Sequence, residues 1–144
     1  MNVKQISVFL DNKPGCVAEM INVLDEHDTY IRALTVVDTS EFSMVRLIVD
    51  NALWTVNILK EAGFKAYFTD VLATEIPNTP RAFGYILDVL KNAGVNIEYM
   101  YAIMGSKSVS NVCMIWKVNS NEAAIDALNK AGIRILGQGD IPNL

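Results

Sequence analysis

The chain of 144 residues is 51% hydrophobic and 19% charged, and its formal net charge is −4. This composition excludes a disordered chain and supports a well-filled core. The twelve lysine and arginine residues are scattered, which argues against a nucleic-acid partner because neutralising phosphates requires clustered cations.

The first elements are a strand and a helix. Ile6, Val8 and Leu10 lie at alternate positions, as in a half-buried strand. A helix is predicted to start near Pro14, since proline is tolerated at that place. Its apolar stripe follows at helical spacing: Val17, Met20, Ile21 and Leu24. We predict that Asp28 ends the helix in the left-handed conformation that glycine usually adopts there.

Two strands, a helix and a strand complete the first half of the chain. The strands are predicted at 30–37 and 44–49, joined by the polar segment 38–41. The helix is predicted to end at Gly63, and a strand follows at 64–68. The first half therefore reads strand, helix, strand, strand, helix, strand.

The second half repeats the first. Three pairs of identical residues lie 66 positions apart: Pro14 and Pro80, Leu24 and Leu90, Ile31 and Ile97. Segment 59–63 recurs 69 positions later as 128–132, and the additional residues fall near 105–108, a predicted hairpin turn. We expect two domains, residues 1–70 and residues 71–144.

The second copy predicts the same elements. Its helices contain Phe83, Ile86, Leu87 and Leu90, and then Ile125 and Leu128. Its strands are predicted at 97–104, 112–118 and 133–136. Segment 99–104 is apolar on both faces, which predicts burial on both sides. Since helices cover one face of the sheet, we expect the other face to meet a second copy or chain.

These elements predict an α+β fold of two ferredoxin-like βαββαβ repeats with antiparallel sheets. Only residues 69–70 separate the last strand of copy one from the first strand of copy two. We therefore expect one long strand that passes from the first sheet into the second.

The turn after the first strand resembles that of ACT domains, in which Asn-x-Pro-Gly precedes an apolar helix. The resemblance is carried by Leu10-Asp11-Asn12-Lys13-Pro14-Gly15-Cys16-Val17. The second copy keeps Asn78-Thr79-Pro80 but has Arg81 in place of glycine, and Ala93-Gly94-Val95-Asn96-Ile97 fits the family's next helix end and strand. The chain is similar to stand-alone tandem ACT proteins that bind amino acids.

The resemblance implies a ligand site between two modules. A carboxylate placed at the positive end of the helix dipole can accept hydrogen bonds from the free amides of Gly15, Cys16 and Val17. The partner module would contribute the asparagine that opens its second strand. The implied ligand-binding residues are Asp11, Asn12, Lys13, Pro14, Gly15, Cys16 and Val17 with Asn96.

Other interpretations remain open for several of these residues. Asn12 and Asn96 could simply form turns, and Lys13 could be a solvated side chain. A candidate second site comprises Asn78, Thr79, Arg81 and Tyr30, where both the glycine and the partner asparagine have been replaced. We therefore predict one strong site per chain.

Nothing in the sequence predicts catalysis. His27 is the one histidine and has no ligand cluster near it, so neither a metal site nor a cofactor is expected. Cys16 has no base that can be placed beside it, and no nucleophile or nucleotide motif is present. A small ferredoxin-like enzyme is therefore disfavoured.

We expect a regulatory sensor of a free amino acid that forms a homodimer, with a regulated enzyme as a further candidate partner. The alternative is a ligand-free module for protein interaction or dimerisation. No signal peptide or membrane span is visible, so we expect a cytoplasmic protein without a membrane partner.

Overall fold

A computed structural model describes residues 2–38, 41–105 and 107–144. The chain folds into two compact units. The first unit is Lys4–Thr69, and the second comprises Asp70–Leu144 together with the first residues of the chain. No helix of the described residues is long and apolar enough to cross a membrane.

The first unit is a four-stranded antiparallel sheet with two helices. Its elements are β1 (Val3–Asp11), α1 (Cys16–Glu26), β2 (Ile31–Asp38), β3 (Phe42–Val49), α2 (Ala52–Glu61) and the first part of β4 (Lys65–Pro77). The strand order is β2-β3-β1-β4. The register sets Leu10 and Asp38 on either side of Ser43, because β3 pairs with both β1 and β2.

The second unit repeats this arrangement. Its further elements are α3 (Ala82–Asn92), β5 (Ile97–Ala102), β6 (Asn111–Val118), α4 (Asn121–Lys130), β7 (Arg134–Leu136) and a 3-10 helix (Gln138–Asn143). The antiparallel pairs give the order β5-β6-β4-β7. The predicted pair of ferredoxin-like βαββαβ repeats is confirmed, whereas the terminal 3-10 helix was not predicted.

Each unit has its own core between its sheet and its helices. In the first unit the buried residues include Ile6, Val8, Leu10, Met20, Leu24 and Leu59. In the second unit they include Leu72, Ile76, Ile86, Leu90, Trp116 and Leu128. The indole Nε1 of Trp116 donates a hydrogen bond of 2.8 Å to the hydroxyl of Thr74, so this buried polar group is satisfied.

Two local predictions are confirmed. Strand β4 runs without interruption over 13 residues, from the first unit into the second. Asp28 adopts a φ of 51° after α1, the left-handed conformation predicted for the end of that helix. The predicted turns at 38–41 and 105–108 include Thr39, Ser40 and Ser106, which lie outside the described residues.

The prediction that segment 99–104 is buried on both faces is wrong for the single chain. Along β5, half-buried and exposed residues alternate, and Met104 lies beyond the strand and is exposed. The physical reason is position, because β5 is the last strand in the order of its unit and has a neighbour on one side only.

We predict that the chain forms a homodimer, since an edge strand with exposed apolar side chains such as Met100 is a surface on which a second copy can pair. Analytical ultracentrifugation should give the mass of two chains at roughly tens of micromolar. Met100→Glu, which adds a second carboxylate beside Glu98 on the exposed face of β5, should weaken the dimer. A wild-type chain that sediments as a monomer at that concentration would contradict the prediction.

Candidate functional site

The turn between β1 and α1 has its own backbone geometry. Gly15 lies at the helix start with a φ of 89°, which is unfavourable for any residue with a Cβ. The Glu19 amide donates to the Gly15 carbonyl at 2.9 Å, and the Cys16 amide donates to the Lys13 carbonyl at 3.3 Å. No side chain of the described residues caps α1. The Cys16 amide is therefore not free, contrary to the expectation from the sequence. The next amides of the first turn of α1 have no acceptor within the helix, and a ligand can accept hydrogen bonds from them.

Asn12 is held by a residue that the sequence analysis missed. Its Nδ2 donates a hydrogen bond of 2.6 Å to Oδ1 of Asp38, the last residue of β2. The pairing of β3 with both β1 and β2 brings the two residues together, although 26 positions separate them. No local pattern could have revealed this contact. The Asp38 carboxylate therefore lies beside the side-chain amide of Asn12 in this turn.

The position from which the partner module is expected to contact the ligand holds Asn96 in the second unit and Tyr30 in the first. In the second unit, the Asn96 amide donates to Oδ1 of Asn119 at 2.9 Å, and the Asn96 side chain is exposed. In the first unit, the corresponding Tyr30 is 68% exposed, with the Arg32 guanidinium 5.4 Å from its ring centroid. Two hydrogen bonds from Arg32 to Asp50 are the main reason that the pKa of Arg32 is raised.

The turn between β4 and α3 keeps the backbone geometry of the first turn without its glycine. Arg81 has a φ of 75° at the start of α3, where Gly15 has 89° in the first unit. The Asn78 amide donates to the Ser110 carbonyl at 2.8 Å, and the Ala82 amide donates to the Thr79 carbonyl at 3.4 Å. The Arg81 side chain is therefore carried on a strained backbone.

We expect Arg81→Gly to raise the free energy of unfolding by up to about 1 kcal/mol. The substitution removes the strain of left-handed geometry, which costs about 1–2 kcal/mol in a residue with a Cβ. Glycine also gives the unfolded chain more conformational freedom, which offsets about 0.4–1 kcal/mol of this gain. Gly15→Ala is the matched control and should lower the free energy by about 1 kcal/mol. Urea unfolding measures both, and a loss of stability in Arg81→Gly would contradict the expectation.

Each unit also has a groove at an equivalent place, between the start of its first helix and the start of its last strand. The first groove is about 640 Å³, and its lining includes Phe9, Asp11, Glu19, Phe42, Phe64 and Lys65. The second groove is about 630 Å³, and its lining includes the counterparts Glu75, Pro77, Tyr85, Asn111, Ile133 and Arg134. The two grooves therefore share a position and differ in chemistry.

The structure brings Asp11 to Val17 together in one turn of the first unit. Asn96 belongs to the second unit, so its participation stays a prediction. Cys16 is a half-buried free thiol, and the His27 ring forms a hydrogen bond of 2.8 Å with the Val23 carbonyl. No group of His, Cys, Asp or Glu in the described residues is arranged to hold a metal ion.

The sequence profile of one family, described as ACT domain pair, matches residues 1–137. The chain belongs to the ACT domain pair family. No curated protein matches the sequence.

Solved structures of the same fold include protein BT0572 from Bacteroides thetaiotaomicron, which is 29% identical with a TM-score of 0.92. That alignment covers 100% of this chain and 98% of BT0572. The ligand-free regulatory subunit of aspartate kinase from Thermus thermophilus is 20% identical with a TM-score of 0.63, over 89% of this chain and 91% of that chain. The regulatory subunit of aspartate kinase from Thermus flavus is 20% identical with a TM-score of 0.60, over 92% of this chain and 94% of that chain.

Proposed function

We propose that this ACT domain pair is a regulatory sensor that binds a free amino acid and has no catalytic activity of its own. The observation that carries the proposal is the turn of the first unit. There, a helix start without a side-chain cap lies next to the hydrogen-bonded pair Asn12 and Asp38. The two features offer partners of opposite sign for the two charged groups of an amino acid.

The ligand carboxylate is proposed to accept hydrogen bonds from the first amides of α1. A helix start has backbone donors without helical partners and carries a partial positive charge, which together favour an anion. Gly15 has no side chain, and a Cβ built on it would have no atom within 4 Å. A ligand can therefore approach this backbone closely.

The ligand ammonium group is proposed to bind at Asp38. A carboxylate accepts hydrogen bonds at two oxygens, and Asn12 occupies one of those oxygens. Charge-assisted hydrogen bonds of this kind are stronger than those between neutral groups. Asn12 has a positioning role in this scheme, because it fixes the carboxylate that receives the ligand.

The proposed site is completed by Asn96, so that the ligand lies at an interface between two ACT repeats. Asn96 opens β5 and has an exposed side chain able to donate and to accept. The turn at Asn78 has Arg81 in place of glycine, and the residue that corresponds to Asn96 is Tyr30. We therefore propose one strong site per chain rather than two.

The wider role follows from the family. Two proteins of this fold are regulatory subunits of aspartate kinase, and we propose that this chain also acts by controlling a separate enzyme. We propose that the chain performs this role in the cytoplasm.

A thermal-shift screen against the twenty amino acids tests the proposal. A ligand that binds only the folded chain at 100 times its Kd should stabilise it by about 2.7 kcal/mol. The expected result is a marked increase in Tm for one amino acid or a chemically related group. No increase with any of the twenty would favour the alternative function, a ligand-free module for protein interaction.

A further inference from the structure

The first turn of α2 exposes two large apolar side chains. Leu53 is 65% exposed and Trp54 is 45% exposed, although the other side of α2 packs into the core of the first unit. The His27 ring, which follows the end of α1, lies edge-on to the Trp54 ring with 6.0 Å between the ring centroids. Leu53, Trp54 and His27 are called the Trp54 patch below. The patch lies where the end of α1 meets the start of α2.

The second unit shows that the fold does not require the Trp54 patch. Asn51 caps α2 and Ser120 caps α4, and this shared cap fixes the correspondence between the two helices. At the positions of leucine and tryptophan, α4 has Glu122 and Ala123, and α3 is followed by Ala93 where α1 is followed by histidine. Because a large part of each patch side chain stays in water, the stability of the fold does not account for these residues.

The end of α1 beside the Trp54 patch is acidic. Asp25 and Glu26 lie in its last turn, Asp28 follows, and all three are exposed. The last turn of α1, which the structure describes in full, has no basic residue. The carboxyl end of a helix carries a partial negative charge, so cations are favourable there and carboxylates are not. The corresponding turn of α3 has Lys91. The first unit therefore combines exposed aromatic surface with a negative potential.

We propose that the Trp54 patch is a docking site for a basic segment of a second protein, in which lysine or arginine residues flank an apolar residue. The apolar residue packs on Leu53, and a cation lies on the exposed indole of Trp54, the aromatic side chain that attracts cations most strongly. A further cation pairs with Glu26. Tryptophan is also enriched among the residues that contribute most to binding at protein interfaces.

The negative potential distinguishes this occupant from others. It repels the phosphates of nucleic acids and of anionic membrane surfaces, and a symmetric contact with a second copy would place acid against acid. The patch lies at the opposite end of α1 from the turn at Asn12. The inference therefore goes beyond the proposed amino-acid site and stands whether or not an amino acid binds there.

The probe is a peptide selected from a random phage-displayed library on the full wild-type chain. The expected result is enrichment of peptides that combine lysine or arginine with an apolar residue. The strongest is synthesised and titrated into the full chain while NMR follows the two indole N–H signals. The Trp54 signal should shift, whereas that of the buried Trp116, hydrogen-bonded to Thr74, should stay in place. No enrichment, enrichment of acidic or uncharged peptides, or an unshifted Trp54 signal would overturn the proposal.

Variants locate the docking site. Leu53→Glu combined with Trp54→Ala gives α2 the residues that α4 has at these positions, and it should weaken the peptide at least tenfold. Glu26→Lys should weaken it severalfold and leaves the apolar side chains in place, so it tests the proposal even if the double variant folds poorly. Asp88→Lys makes the same change of charge on the exposed face of α3 and should have little effect.

Two results with these variants would overturn the proposal. Equal losses in Glu26→Lys and Asp88→Lys would mean that the peptide responds to net charge alone. A double variant at Leu53 and Trp54 that sediments as a monomer while the wild type is a dimer would mean that a second copy covers the patch. The retained Trp116 indole signal reports that each variant is folded.

Discussion

Replacement of Trp116 by alanine is expected to lower the free energy of unfolding by about 3–5 kcal/mol. The side chain is 1% exposed and is among the largest fully buried side chains of the described residues. Its removal loses the burial of the indole and leaves a cavity in the core of the second unit. It also removes the donor to the buried hydroxyl of Thr74.

The matched control for Trp116→Ala is Trp54→Ala. Trp54 lies on α2, is 45% exposed and has the His27 ring 6.0 Å away, so its loss should cost less than about 1 kcal/mol. Thr74→Val keeps the indole but removes its acceptor and should cost about 1–3 kcal/mol. Urea unfolding followed by circular dichroism measures all three variants, and equal losses for the two tryptophans would contradict the assignment of the core.

The second large effect is expected for ligand affinity. Asn12→Ala and Asn96→Ala should each weaken the amino acid that the thermal screen identifies by about ten- to a hundredfold. Asn96→Ala removes a hydrogen bond to a charged ligand group, and Asn12→Ala releases the Asp38 carboxylate that is proposed to bind the ammonium group. A loss of about 1.5–3 kcal/mol corresponds to a decrease in affinity of about ten- to a hundredfold. Asn78→Ala, the matched change in the second turn, should alter the affinity little. Isothermal titration calorimetry measures the three affinities.

Two further observations make this comparison decisive. Asp38→Asn keeps the size and an acceptor but removes the negative charge, so a comparable loss of affinity would assign the ammonium group to Asp38. Unfolding without ligand separates a weakened turn from a lost ligand contact, because only the former lowers stability in the absence of the amino acid. If Asn78→Ala abolishes binding while Asn12→Ala has no effect, the site has been assigned to the wrong repeat.

The repeat and its elements could be predicted from the sequence because their signals are local. Proline at the start of the first helix, glycine after the second and apolar residues at regular spacing all act within a few neighbouring positions. The uninterrupted β4 was predicted because only residues 69–70 separate two predicted strands and neither is glycine or proline. The same reasoning placed Asp28 in the left-handed conformation.

The remaining features depend on the sheet register and on tertiary packing. Asp38 contacts Asn12 only because β3 lies between their strands, and β5 is exposed because it has one neighbour in its unit. Glu75 and Arg134 are 59 positions apart and meet through the pairing of β4 with β7. A linear pattern carries no information about such contacts, so the acidic partner of the turn and the second groove had to come from the structure.

The most direct test of the central claim is the number of amino-acid molecules that the wild-type chain binds. Equilibrium dialysis with the radiolabelled amino acid from the thermal screen measures that number independently of any variant. We expect saturation at one molecule per chain, since the first turn keeps its glycine and the second has Arg81 in that place. Saturation at two equal sites per chain, or no retained amino acid, would contradict it.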